Sequence, residues 1–174
     1  MKKYFFTCLA AISLLSLSAN AAGTGIIDVE KIIKESSAMR DVQAKIGKKQ
    51  DEYQKEVAKK QEELESEQKH IEGKRNVLSK EAFEKETLSF EKKLDDLKTF
   101  VDKKQNSLKK ASMEAMSKVN DKIKDIISDV AKEKDFDVIT PASQTLYYKD
   151  ELEVTDEVLK RLNKKIFKVD VKFD

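Results

Sequence analysis

The sequence predicts an α+β protein in which a long antiparallel coiled-coil hairpin of two helices is inserted into a small β-rich base that associates with copies of itself. Residues 36–134 contain no proline and only two glycines, as long helices require. Their apolar residues recur every three, four or seven positions, which defines one narrow face of a helix. Short β-type runs flank this stretch on both sides, and they predict the base.

The first residues have the form of a secretory signal peptide. Lys2 and Lys3 give a basic start, residues 4–17 are mostly apolar, and Ala19-Asn20-Ala21 has the small residues typical of a cleavage site. We therefore expect cleavage between Ala21 and Ala22, and export. An uncleaved anchor is the alternative, but the apolar run is shorter than the ~20 residues of a membrane-spanning helix.

Removal of residues 1–21 changes the composition of the mature chain. The only cysteine, Cys8, is lost, which leaves no thiolate for a disulfide, a nucleophile or a zinc site. Two lysines are lost without any acid, so that 33 basic residues face 33 acidic ones. A neutral chain lacks the clustered positive charge of nucleic-acid-binding proteins. It also predicts only weak contact with a membrane surface.

The base is predicted from residues 22–35 and 135–174. Its first segment holds a β-type run, 25–29, followed by a helix start at Glu30. Its second segment holds the β-type runs 136–140 and 145–148 and a short helix, 155–165, with Thr155 as the N-cap. We assign the apolar side chains of the three runs to an oligomerisation base: Ile26, Ile27, Val29, Phe136, Val138, Ile139, Leu146 and Tyr148. A sheet this small buries little area, so association is expected to shelter it.

The hairpin is predicted over residues 36–134, with its tip near 73–80. Gly73 weakens the helix at the tip, and Ser79 is suited to cap the second arm. Both arms carry an apolar seam that needs a partner, which favours a hairpin over the alternative of one unbroken helix. The tail begins at Ile166, and from Phe167 to Asp174 it alternates apolar and charged residues, as an amphipathic strand does. Whether that strand pairs with the base stays open.

Three segments and their order resemble the Skp (OmpH-like) family of periplasmic chaperones. The segments are GIIDVEKII at 25–33, DFDVI at 135–139, and 146–160, which begins Leu-Tyr-Tyr and contains Thr-Asp-Glu-Val-Leu-Lys. The resemblance implies a homotrimer whose three bases form one body and whose three hairpins surround a cavity. It also implies that the cavity sequesters unfolded outer-membrane proteins in the periplasm without ATP or any cofactor. The tail from Ile166 runs past the terminal helix that the family leads us to expect.

Some seam residues are candidates for contact with such an unfolded client rather than for helix pairing. They are Tyr53, Phe83, Phe100 and Met113. Filling of the interhelical seam is the alternative role for the three aromatic residues, and junction packing is the alternative for Met113. No catalytic or metal-binding residue is predicted, because the sequence has no phosphate loop, dinucleotide fingerprint or nucleophile elbow and only one histidine.

A second function remains open at this point. A coiled-coil hairpin in the periplasm could serve as a spacer or adaptor that docks on an envelope complex through its tip, residues 72–81. A spacer gives no reason for a self-associating base on both sides of the hairpin, so the chaperone interpretation is preferred.

Overall fold

The structure is a computed structural model that describes residues 23–174. The elements follow in the order β1 (Thr24–Ile27), α1 (Val29–Glu35), α2 (Ser37–Gly73), α3 (Lys80–Glu133), β2 (Val138–Pro141) and α4 (Thr155–Lys165). Two short 3₁₀ turns, Ala142–Gln144 and Asp150–Leu152, lie between β2 and α4. The predicted signal peptide, with Ala19, Ala21 and Ala22, lies outside the described residues.

The two long helices α2 and α3 form the antiparallel hairpin. Tyr53 meets Ser107 in the half nearer the base, and Lys74 meets Glu86 near the tip, so the arms run in opposite directions. Ser79 caps α3, because its hydroxyl accepts a hydrogen bond from Ala82 N at 3.2 Å, as predicted. The helices contain 37 and 54 residues, which corresponds to about 55 and 80 Å of length.

The base holds a parallel sheet of two strands. β1 pairs with β2 so that Thr24 lies opposite Val138 and Ile27 opposite Pro141, and the whole hairpin connects them. The prediction of a third strand at 145–148 is wrong, because this segment, including Leu146 and Tyr148, has no strand assignment. Strand-like composition predicts an extended backbone, but a strand also needs a neighbouring backbone to pair with.

Helices, rather than a sheet, build most of the core. It lies where the roots of α2 and α3 meet α1, α4 and the inner face of β1. Its fully buried side chains include Ile32, Val42, Val119, Ile126, Val130, Val154, Val158 and Leu162. The base and the roots of the hairpin therefore share one core, which corrects the picture of a β-rich base that a hairpin merely interrupts.

A left-handed residue ends the longer arm. Asp135 has φ 57°; among the described residues it alone, glycine aside, has positive φ. Phe136 N donates to Ala131 O at 2.8 Å and Asp135 N donates to Lys132 O at 3.4 Å, which is the pair of bonds of a Schellman motif. This reversal directs the chain from α3 into β2.

Two predictions about the C-terminal part are corrected. Thr155 is not an N-cap: α4 begins at Thr155 itself, and its hydroxyl instead accepts a hydrogen bond from Asp28 N at 2.8 Å. The tail 166–174 is not a strand. It is an extended segment without assigned secondary structure, and it contacts α2 and α3 rather than the sheet.

Candidate binding surfaces

The outer part of the hairpin carries a thin apolar seam. No side chain is fully buried on α2 between Tyr53 and Ile71, or on α3 before Ser107. The seam residues of this outer part are half-buried, and Leu94 is exposed. The half-buried ones are Val57, Leu64, Phe83, Phe90, Leu97 and Val101. Apolar atoms therefore stay accessible along both arms, next to the charged residues that cover the rest of the surface.

The four candidate contact residues differ in accessibility. Tyr53 is only 5% exposed, so in this structure it fills the interhelical seam, and its assignment as a contact residue is corrected. Its hydroxyl lies 3.4 Å from Ser107 Oγ. Phe83 and Phe100 are half-buried. Met113 is 62% exposed on α3 and remains a candidate.

Lysines cover the aromatic rings between the arms. Lys104 Nζ lies 4.1 Å from the centre of the Tyr53 ring and 5.0 Å from that of Phe100. Lys60 Nζ, on the opposite helix α2, lies 4.9 Å from the centre of the Phe100 ring. Cation–π contacts of this kind are worth about 0.5–1 kcal/mol at exposed sites. They keep the Phe100 ring in place while leaving it partly accessible.

Nearer the base, the groove between the arms holds the tail, residues 166–174, mainly by its backbone. Asp41 Oδ2 accepts from Val169 N at 2.9 Å, and Lys45 Nζ donates to Val169 O at 2.7 Å. Lys118 Nζ donates to Asp170 O at 2.9 Å. We call these three side chains and Ser107 the backbone clamp.

Ser107 binds the last residue of the tail in two ways. Its hydroxyl accepts from Asp174 N and donates to the backbone oxygen of Asp174, both at 3.1 Å. Lys110 Nζ also contacts Asp174 Oδ2 at 2.6 Å. This contact raises the pKa of Lys110, through the hydrogen bond first and the opposite charge second.

The side chains of the tail alternate between the groove and solvent. Val169 is 6% exposed and belongs to the core, Val171 packs against that core, and Phe173 is half-buried beside Lys49 at 5.8 Å. Lysines and aspartates at the intervening positions are exposed. The predicted alternation therefore holds from Lys168 to Asp174, where the apolar side faces two helices, whereas Phe167 is 70% exposed.

Sequence reasoning missed the backbone clamp, because its members look like ordinary surface residues of a charged helix. One signal was available for Ser107. The buried residues of α3 continue in steps of four or three from Val130 back through Ala115 and Ala111 to Ser107, so this spacing puts the serine on the buried side of the helix. The small residues on that row leave room between the two helices for a third segment, the tail.

The predicted oligomerisation residues fall into three groups by exposure. Ile26 and Ile27 are buried within the subunit, while Val29, Phe136, Ile139 and Tyr148 are half-buried. Val138 is 52% exposed, and Leu146 is fully exposed beside exposed Tyr147. Val138 and Leu146, together with Tyr147, are the exposed apolar residues of β2 and of the loop that follows it, and they are here called the base patch.

Ion pairs fasten the base to the root of α3. Arg161 of α4 donates to both carboxylate oxygens of Glu133, at 2.7 and 2.6 Å, and also contacts Glu157. The Arg161 hydrogen bond lowers the pKa of Glu133.

Within residues 23–174 there is no group of three His, Cys, Asp or Glu side chains that could hold a metal ion. None of the helices described is long and apolar enough to span a membrane.

Comparison with known proteins gives consistent matches over nearly the whole described chain. Residues 23–162 match the model of the family described as outer membrane protein (OmpH-like). An uncharacterized protein of Aquifex aeolicus is 32% identical over 164 residues, which cover 94% of this chain and 98% of that protein. A crystal structure from Caulobacter crescentus, described as that of a candidate outer membrane chaperone (OmpH-like), superposes with a TM-score of 0.82. It is 16% identical, and the match covers 98% of this chain and 97% of the other.

Proposed function

The chain belongs to the OmpH-like (Skp) family, and from this premise we propose that it is a periplasmic, ATP-independent holdase chaperone for unfolded outer-membrane proteins. Such a protein binds its clients without chemistry and releases them for insertion. It needs an accessible, weakly apolar surface rather than a catalytic pocket, because strands of an unfolded membrane barrel expose apolar side chains and unpaired backbone groups.

The half-covered seam of the outer hairpin supports this proposal most directly. Between Tyr53 and Ile71 on α2 and before Ser107 on α3, the apolar side chains are half-buried or exposed, including Leu88 and Leu94. Each accessible apolar group adds only a small contribution on contact, at about 25 cal/mol per Å² removed from water. Many such contacts hold a client without trapping it.

Self-association of the base is the second part of the proposal. The base patch leaves Val138, Leu146 and Tyr147 in solvent in a single subunit. Burial between copies of the base would remove this apolar surface from water. We propose a homotrimer, as the family resemblance implies, with three hairpins around a shared cavity.

Light scattering tests the chaperone function. An outer-membrane barrel protein is unfolded in urea and diluted into buffer with increasing amounts of the chain lacking residues 1–21, without nucleotide. We expect scattering to fall as the chaperone is added. Unchanged scattering at several-fold molar excess would contradict the proposal.

A matched pair of variants tests the seam in the same assay. Leu88→Lys with Leu94→Lys places two charges on exposed apolar positions of the arm. Asp95→Asn with Asp96→Asn changes the net charge by the same amount at neighbouring exposed positions. We expect the lysine variant to need several-fold more protein for the same protection, and the asparagine variant to behave like the wild type.

A spacer or adaptor is the alternative function. The observation that favours it is Val77, an apolar residue at the hairpin tip that is 83% exposed. A spacer would bind one folded partner through the tip. Loss of that partner with Val77→Asp, together with no protection of unfolded clients by the wild type, would favour the spacer.

A further inference from the structure

We propose that the root of the groove between α2 and α3 is a binding site for extended peptide segments with alternating aliphatic and polar residues, and that residues 166–174 of the chain occupy it as an internal ligand. The proposal rests on the chaperone function, since it names where one strand of a client would bind. The tail then competes with the client for the site.

The backbone clamp recognises an extended chain without reading its sequence. Asp41 and Lys45 bind both backbone groups of Val169, and Ser107 binds both backbone groups of Asp174. These four hydrogen bonds go to groups that nearly every peptide possesses. Four residues lie between the two clamped positions, and the tail is extended where it reaches both.

The side-chain contacts select a pattern rather than particular residues. Val169, Val171 and Phe173 face the groove, whereas Lys168, Asp170 and Lys172 face solvent. Strands of transmembrane β-barrels have the same two-residue alternation of apolar and polar side chains. A barrel strand could therefore replace the tail with the same backbone bonds and with apolar side chains at the same places.

Charge limits what fits at the far end of the site. Lys110 binds the carboxylate of Asp174, and Lys103 and Lys104 lie beside the same hollow with Phe100. An acidic or neutral residue suits this position, and a basic residue would face three lysines. The site thus accepts an alternating segment that ends in an acidic or neutral residue.

The internal ligand explains how an apolar groove remains covered when no client is bound. A tethered ligand has an effective concentration on the order of millimolar. A single short peptide therefore competes poorly with the tail. A client that also contacts the outer arms and neighbouring hairpins gains enough from those contacts to displace it.

A fluorescent peptide tests the site. The probe is the tail sequence itself, residues 166–174, labelled at its first residue, and its control is a peptide of the same composition with the apolar residues consecutive. Binding is measured by fluorescence anisotropy to the wild type, to Val169→Lys and to Asp170→Asn. The two variants raise the net charge equally, but only Val169 is buried in the groove.

We expect Val169→Lys to release the tail and to bind the alternating probe at least tenfold more tightly than the wild type. Asp170→Asn should bind like the wild type, because Lys118 holds the backbone oxygen of residue 170 rather than its side chain. In the Val169→Lys background, Lys118→Ala should weaken the probe again, whereas Lys122→Ala, which changes a lysine outside the groove, should not.

Equal probe binding by wild type and Val169→Lys would overturn the proposal and leave the tail as a structural brace. If circular dichroism shows that Val169→Lys is unfolded, a chain ending after Lys168 replaces it in the same comparison. Protection of clients by the wild type without any gain in probe binding refutes only this inference. A gain in probe binding without protection refutes only the chaperone function.

Discussion

At the scale of residues, the hydroxyl of Thr155 joins the start of α4 to the start of α1. Its Oγ1 accepts a hydrogen bond from Asp28 N at 2.8 Å, and the residue is fully buried. Thr155→Val keeps the shape but leaves the Asp28 N–H without this partner. An unpaired buried donor costs about 1–3 kcal/mol, and we expect that loss in the free energy of unfolding by urea, measured by circular dichroism.

Thr99→Val is the control for this change, because Thr99 is exposed in the middle of α3. The same substitution there should alter stability by less than about 0.5 kcal/mol. Equal effects at the two positions would show that the hydrogen bond to Asp28 contributes nothing.

Asp41 makes the docking of the tail sensitive to acid. Hydrogen bonds from Lys45 and then from the backbone N–H of Val169 lower the pKa of Asp41 below its ordinary value of 3.8, and Lys168 adds a favourable charge. A carboxyl group whose pKa is lowered by folding stabilises the folded state above its unfolded pKa, and this contribution is lost as the pH falls through the folded pKa. The tail should therefore stay docked at neutral pH and loosen only as the pH falls below the ordinary carboxyl value of 3.8.

The amide resonance of Val169 reports this step in an NMR titration. We expect it to move with an apparent pKa below 3.8, and we expect Asp41→Asn to abolish the movement. A midpoint at or above the ordinary carboxyl value would mean that the carboxylate does not hold the tail.

At the scale of elements, the end of α3 holds a residue in a conformation that glycine adopts more easily. Asp135 has φ 57° at the position after the helix cap, and a side chain there costs about 1–2 kcal/mol. We expect Asp135→Gly to raise the free energy of unfolding by up to about 1 kcal/mol, because part of this gain is offset by the greater freedom of glycine in the unfolded chain.

Lys134→Gly is the matched control, because Lys134 has φ −98°, a value that ordinary residues adopt without strain. The glycine there should lower stability by about 0.5–1 kcal/mol through the freedom of its backbone, and the loss of the ion pair between Lys134 and Glu157, at 3.1 Å, acts in the same direction. Chemical denaturation of the two variants measures both signs, and a loss of stability in Asp135→Gly would show that its carboxylate makes a contribution greater than the backbone strain.

Elements whose signals are local could be predicted from the sequence. The apolar spacing on α2 and α3, the weak point at Gly73 and the capping hydroxyl of Ser79 are all properties of short stretches, and together they define the two arms and the turn between them. Elements that depend on a distant partner could not be predicted. The tail shows its alternation in the sequence, but alternation defines only an apolar side and not whether helices or strands will cover it.

The same limit applies to residues 145–148. Their composition is that of a strand, yet β2 pairs with β1, and the segment pairs with no strand within the described part of the subunit. Tyr53 illustrates the limit inside the hairpin, because its position in the seam was visible from spacing whereas its contact with Ser107 belongs to the packing of the opposite arm.

At the scale of the whole molecule, one core supports both the base and the arms. Ile27 of β1 is 2% exposed and packs in the same cluster as Ile126 and Val130 of α3. A charge at Ile27 would therefore disturb the fold of the single subunit, because a buried unpaired charge is costly. Loss of oligomers with Ile27→Asp would thus not identify an interface, and exposed positions of the base patch give the better test.

Val138→Asp with Leu146→Asp is that test, since both side chains are exposed in the single subunit. We expect the double variant to keep the helical circular dichroism of the wild type and to sediment as a monomer at micromolar concentration, because carboxylates in an apolar interface oppose association. It should also protect clients less, since a lone hairpin encloses no cavity.

The control is Val77→Asp with Leu88→Asp, which introduces the same charges at exposed positions of the outer hairpin. It should leave the sedimentation coefficient of the oligomer unchanged. An oligomer that survives Val138→Asp with Leu146→Asp would place the contact between subunits on another surface.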